Sequence, residues 1–188
     1  MPRVGLTPSR LTQAGAAMAD EVGFEAVTLS ALARRFEVQV ASLYAHVPGS
    51  AELRNRIAVL ALDEIADRAE EGLAGRSGRE ALQALGDAYR SYAREHPGRY
   101  AAATHPLDDS EESLRAGGRH AALSRAALRG YRLGRTDEVH AVRLVGSTVR
   151  GFVDLEARGS FAHSRPSAHA SWTRAIDALD LVLQNQFA

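Results

Sequence analysis

The stretch from Gln39 to Val47 carries the side chains with the clearest chemical purpose. Val40, Leu43 and Val47 recur at helical spacing and would anchor it inward, which leaves Gln39, Ala41, Ser42 and Ala45 outward or at its start. These are small or polar groups, and they let a short helix come close to base edges in a major groove. Thr28 and Ser50 stand where helices are expected to begin, so the backbone N–H groups there can meet phosphate oxygens. Arg10, Arg34 and Arg35 supply a local patch of positive charge. The chemistry implied is recognition of double-stranded nucleic acid.

Bulk charge contributes little to it. The chain of 188 residues has a formal net charge of zero, and residues 1–56 hold six arginines against five acids. Nonspecific attraction to a polyanion is therefore weak. All 23 basic residues are arginine, whose planar fork suits phosphate and base edges; the same bias also fits a GC-rich genome. The absence of cysteine excludes disulfides, thiolate metal sites and a thiol nucleophile, and it agrees with a reducing compartment. No signal-peptide-like or membrane-length apolar run is present, so the chain is read as cytoplasmic.

Enzyme signatures are missing. The sequence has no Gly-x-Ser-x-Gly elbow, no phosphate loop ending in lysine, no Gly-x-Gly-x-x-Gly and no His-Glu-x-x-His. His163 and His169 flank a loop without the spacing or companions of a metal site. No catalytic group, cofactor or metal is expected. Asp108, Asp109, Glu111 and Glu112 read as a solvated loop that favours the start of the next helix.

The segments that carry these groups all read as helices. Apolar periodicity with Gly and Pro between segments predicts an all-α fold of about nine helices. The predicted spans are 8–22, one following Thr28, 40–46, 51–71, 79–95, 99–104, 110–129, 137–158 and 167–186. Thr7, Thr28, Ser50 and Thr136 are the expected N-caps, and Gly23 closes the first helix. A three-helix head over 1–50 would hold a helix-turn-helix at about 28–47, and residues 51–188 would form a helical bundle.

The residues support a family resemblance. Gly23-Phe24-Glu25-Ala26-Val27-Thr28-Leu29-Ser30-Ala31-Leu32-Ala33, followed by Leu43-Tyr44-Ala45-His46-Val47, resembles the N-terminal domain of the TetR (tetracycline-repressor) family. The resemblance implies that Tyr44 and His46 touch DNA phosphates, and that Gln39, Val40, Ala41 and Ser42 lie where bases are read. Two positions depart from the family pattern. Glu37 stands where many members have a turn glycine, and Ser50 where many have a lysine. The first forfeits easy access to a left-handed backbone, and the second removes a phosphate-binding charge.

The C-terminal part resembles the family more loosely, through Arg150-Gly151-Phe152-Val153-Asp154-Leu155-Glu156 with Gly159 and Phe161. Such domains bind a small ligand and dimerise through their last two helices. Val142, Val145, Val149 and Phe152 form one apolar stripe, and Trp172, Ile176, Leu179 and Leu183 another. Ordinary core is the alternative for both, but a two-fold DNA target needs paired heads and favours a dimer interface. Tyr89, Tyr92 and Tyr100, with His105 and His120, are the candidate walls of an effector pocket. The resemblance implies a homodimeric, ligand-responsive regulator, a repressor released from palindromic double-stranded DNA by a small molecule, with no membrane partner. The alternative is a helical module that binds a protein or an apolar ligand without sequence-specific DNA recognition.

Overall fold

The computed structural model describes residues 5–186, which form nine α-helices and one 3₁₀ turn with no strand among them. The helices are α1 (Pro8–Val22), α2 (Leu29–Arg35), α3 (Val40–Tyr44), α4 (Ser50–Leu73), α5 (Gly78–Glu95), α6 (Pro97–Ala103), α7 (Glu111–Leu128), α8 (Arg135–Ala157) and α9 (Ala168–Gln186). The 3₁₀ turn, Phe24–Ala26, was not apparent from periodicity.

Local chemistry explains most of the boundaries. Thr7 Oγ1 accepts the Arg10 N–H at 3.2 Å, and Pro8 opens α1 where no amide donor is needed. Gly23 ends the helix at φ 90°, a backbone that costs a side-chain-bearing residue dearly. Other boundaries differ from expectation. α3 stops at Tyr44, because the N–H groups of His46 and Val47 both turn back on the Leu43 carbonyl at 2.9 Å ahead of Pro48. Ser50 is the first helical residue of α4 and not its cap; the first turn closes from Leu53 N–H onto the Gly49 carbonyl at 3.1 Å. Gly134, and not Thr136, caps α8. α6 starts on Pro97 itself, and α7 runs unbroken through Gly117 and Gly118.

The helices sort into two compact units, one of residues 1–64 with 95–116, the other of residues 65–94 with 117–188. The first is wider than a 1–50 head, because it takes in α6 and the first part of α4 and of α7. Its core is built from Leu11, Phe24, Val27, Leu32, Leu43, Val47, Leu53 and Ile57, joined by Ala102 of α6. α6 lies so close to α1 that a Cβ on Gly98 would sit 1.9 Å from the Ala19 carbonyl oxygen.

The second unit buries Ile65, Leu82, Tyr92, Val145, Trp172, Ile176 and Leu183. Trp172 fits against Gly86, where an added Cβ would be 2.6 Å from the indole, and its Nε1 donates to Asp87 Oδ1 at 2.7 Å. Buried Arg90 lies over the Phe152 and Trp172 rings, at 5.8 and 5.3 Å from their centroids, and grips Glu156 with two bonds of 2.7 Å.

Candidate nucleic-acid interface

The site starts with the turn between α2 and α3. Thr28 Oγ1 accepts the Ala31 N–H at 3.1 Å and fixes where α2 begins. At the other end, Val38 N–H reaches the Ala33 carbonyl at 3.0 Å and Glu37 N–H the Arg34 carbonyl at 3.2 Å. This paired pattern is a Schellman closure, in which the residue after the cap is left-handed. Glu37 occupies that position at φ 56°, where glycine is the unstrained choice. Val38, half-buried against the core, helps to hold the turn despite the strain. Glu37→Gly is therefore expected to stabilise the protein by about 1 kcal/mol, read as a raised denaturation midpoint.

The turn delivers α3 with Leu43 and the following Val47 fully buried. Gln39, Ala41, Ser42, Tyr44 and Ala45 face outward, with Tyr44 55% exposed although it is a large aromatic. His46 is half-buried at the end of this run. Val40 packs partly against the core, so only its backbone is well placed for an outside partner. Ser50 is exposed at the start of α4.

Charge around α3 is largely neutralised within the unit. Arg35 holds Glu21 through two bonds of 2.7 and 2.9 Å, which keeps that carboxyl below its ordinary pKa. Arg54 pairs with Glu25 at 3.0 Å and Arg56 with Glu52 at 2.6 Å. Arg10 donates to the Gly5 carbonyl at 3.0 Å and lies over the Phe36 ring. Arg34 is exposed at the end of α2. Arg10 and Arg34 are thus the two arginines of this region, among the described residues, that meet no carboxylate; Arg3 lies outside them.

The chain has relatives among known proteins. The family model of the tetracyclin repressor-like C-terminal domain matches residues 82–179. The uncharacterized HTH-type transcriptional regulator YobS of Bacillus subtilis is 30% identical over 160 residues, covering 85% of this chain and 84% of that protein. The chain belongs to the TetR family. A second relative, the uncharacterized HTH-type transcriptional regulator Rv0681 of Mycobacterium tuberculosis, is 35% identical over 142 residues, covering 74% of this chain and 65% of that protein. The TetR fold covers nearly all of the chain. The transcriptional regulator SCO7222, a TetR from Streptomyces coelicolor, superposes with a TM-score of 0.75 at 16% identity, covering 97% of this chain and 100% of that one. A TetR from Acinetobacter baumannii AYE in complex with minocycline gives 0.72 at 19%, covering 98% and 99%. The protein is accordingly a transcriptional regulator, and a helical module without DNA recognition is the poorer reading. Among the described residues no helix is long and apolar enough to cross a membrane.

The TetR C-terminal residues singled out from sequence are not all in one place. Tyr89 and His120 meet, with the hydroxyl 2.5 Å from Nδ1 and the rings edge to face. Burial raises the Tyr89 pKa against the opposing pull of Arg150. Tyr92 is buried nearby in sequence, with the Arg68 guanidinium 5.1 Å from its ring centroid. Tyr100 and His105 belong to the other compact unit, where His105 packs edge-on to Phe24 at 5.4 Å. An open cleft of about 1000 Å³ between α4 and α5 is lined by Arg68, Glu71, Arg79, Gln83 and Asp87 among others, and by none of the five candidate pocket residues.

The apolar stripes of α8 and α9 turn inward. Val145, Val149, Trp172, Ile176, Leu179 and Leu183 are each at most 5% exposed in a single chain, and Val142 and Phe152 are half-buried. Side chains already covered within their own subunit have little area left for a second copy. The faces turned outward carry Ser147, Gly151 and Leu155 on α8 and Ala178 and Leu181 on α9.

Sequence reasoning missed two polar clusters. One joins Arg90 and Arg94 to Glu156, with His169 Nδ1 3.3 Å from Arg90. The other caps α7: Asp108 accepts from the Ser110 and Ser113 hydroxyls, and buried Asn55 accepts the Asp108 N–H at 3.1 Å. The Asp-x-Ser-x-x-Ser spacing was the available signal for the second. The first joins residues far apart in the chain and had none.

Proposed function

We propose that the protein is a homodimeric repressor that places two copies of α3 in successive major grooves of a near-palindromic operator and leaves it when a small molecule binds. The observation that carries this reading is α3 itself. It is a single short helix, anchored by Leu43 and Val47, with its small and polar residues and Tyr44 left exposed. Residues 1–50 act as the DNA-binding domain and 51–188 as the effector and dimerisation domain, in the cytoplasm where the operator lies. Tyr44, His46, Thr28, Ser50 and Arg34 contact the backbone, and Gln39, Ala41 and Ser42 approach the bases.

Pairing of heads follows from the symmetry of a palindromic target. It would use the outward faces of α8 and α9, where Gly151, Ser147 and Ala178 allow close approach and Leu155 and Leu181 supply apolar area. The buried Tyr89–His120 pair is the polar element best placed to orient an effector in the body. An effector that binds the released form ~100-fold more tightly would supply ~2.7 kcal/mol of coupling, a ~100-fold loss of operator affinity.

Binding of the duplex flanking the protein's own gene, followed by gel shift, tests the reading. The expected result is a specific shift with an unusually shallow salt dependence. Arg10 and Arg34 of two heads, with Arg3, offer about four to six cationic contacts, hence a slope of log K against log salt of roughly −4 to −5. A folded dimer that gives no specific shift at low salt would sink the proposal.

A further inference from the structure

We infer that the half-site under α3 is rich in A·T pairs and is read through thymine methyl groups and one adenine, with no arginine on guanine. The inference rests on α3 being the recognition helix, and it follows from which side chains the fold leaves outward there.

Positions 39 to 45 present Gln39, Ala41, Ser42, Tyr44 and Ala45 to solvent, while Leu43 is buried and Val40 packs partly against the core. Guanine is read by arginine or lysine across O6 and N7, and cytosine by a carboxylate accepting from N4. None of these side chains occurs from Gln39 to Ala45. The arginines around the segment are also poorly placed for guanine. Arg35, Arg54 and Arg56 are engaged by Glu21, Glu25 and Glu52. Arg34 lies in the last turn of α2, the helix that crosses the phosphate backbone in this motif. Glu37 is held in the turn, two residues before the α3 cap, by the Schellman closure.

What remains has a definite base preference. Gln39 is the one outward side chain that offers an acceptor and a donor side by side, the pattern that matches adenine N7 and N6. It is exposed and makes no capping bond to α3, so its amide is available. Ala41 and Ala45 are four residues apart and share a face, each presenting one methyl group. A methyl on a close-lying backbone complements the C5-methyl of thymine and gains nothing from cytosine. Ser42 bonds to either kind of base and adds no discrimination.

The test uses the full-length protein in two steps. Bound duplexes are first selected from a random pool. The best duplex is then compared with copies in which single half-site thymines are replaced by deoxyuridine, which removes the methyl and nothing else. Half-sites dominated by A·T pairs are expected. One or two replacements per half-site should weaken binding about fourfold each, the worth of one buried methyl-sized group. Ala41→Ser should abolish one of these penalties, and Gln39→Ala should relax the choice at a single adenine. Both positions are exposed, so the fold is retained. Selection of fixed G·C pairs under α3, or specific binding indifferent to every deoxyuridine, overturns this inference and leaves the regulator reading intact. Recovery of no preferred sequence overturns both.

Discussion

Replacing Gly98 by alanine is expected to destabilise the protein by about 3 kcal/mol or more, against the usual preference of helices for alanine. The new Cβ would meet backbone: it would stand 1.9 Å from the Ala19 carbonyl oxygen and 2.5 Å from the Asp20 nitrogen. Neither atom can swing aside as a side-chain tip can, so α6 would have to withdraw from α1. The polar contacts that pin the two helices would then stretch. Arg99 donates its backbone N–H to Asp20 Oδ1 at 2.9 Å, its Nε lies 3.0 Å from Asp20 Oδ2, and His96 Nδ1 lies 3.3 Å from the same oxygen. A loss of 3 kcal/mol corresponds to a fall of about 6–12 °C in Tm for a chain of this size. Gly117 and Gly118 supply the control. Both are exposed within α7, and a Cβ at either meets nothing within 4 Å. Alanine at those positions should stabilise by about 0.5–1 kcal/mol. Equal effects of alanine at Gly98 and Gly118 in urea titrations would show that the α1–α6 contact is looser than described.

The same glycine shows where sequence reasoning reaches its limit. Element ends were legible where one residue type solves a local problem, as with Thr7 before Pro8, Gly23 after α1 and Thr28 before α2. They were misread at Ser50 and Thr136, where a capping residue stands one or two positions inside the true start and a nearby glycine opens the helix. The inward anchors of α3 were legible because period and turn agreed. The direction of the α9 stripe was not. Periodicity identifies an apolar face but is silent on whether a subunit or its copy covers it, and Trp172 against Gly86 decides that only in three dimensions. Glu37 illustrates a different limit. Its sequence identity argues against a left-handed residue, yet two backbone bonds and the anchoring of Val38 impose one. Gly98 falls between the predicted spans 79–95 and 99–104; that it marks a close approach of two helices depends on a partner distant in sequence.

Glu156→Gln should cost about 3 kcal/mol, because it strands a buried cation. The Arg90 and Glu156 side chains are 5% and 15% exposed, and Arg90 spans from the carboxylate to the rings of Phe152 and Trp172. The neutral amide keeps the volume and one acceptor but supplies no countercharge, and it turns a donor toward Arg90 or Arg94, which both bond Glu156 Oε1. The two-bond grip of Arg90, seconded by Arg94 and opposed by burial, holds the Glu156 carboxyl below its ordinary pKa. A carboxyl lowered on folding stabilises above its unfolded value, and that contribution is lost as pH falls through the lower folded value. The wild-type advantage over Glu156→Gln should therefore be full at pH 7 and shrink below about pH 4.5, the ordinary value for this group. Urea unfolding of both proteins across that range reads the difference directly. Arg90→Met combined with Glu156→Met should lose less than Glu156→Gln alone, because it removes the stranded charge together with its partner. Should the double variant be the less stable of the two, the pair itself, and not the cost of leaving Arg90 unpaired, would be what holds α5 to α8.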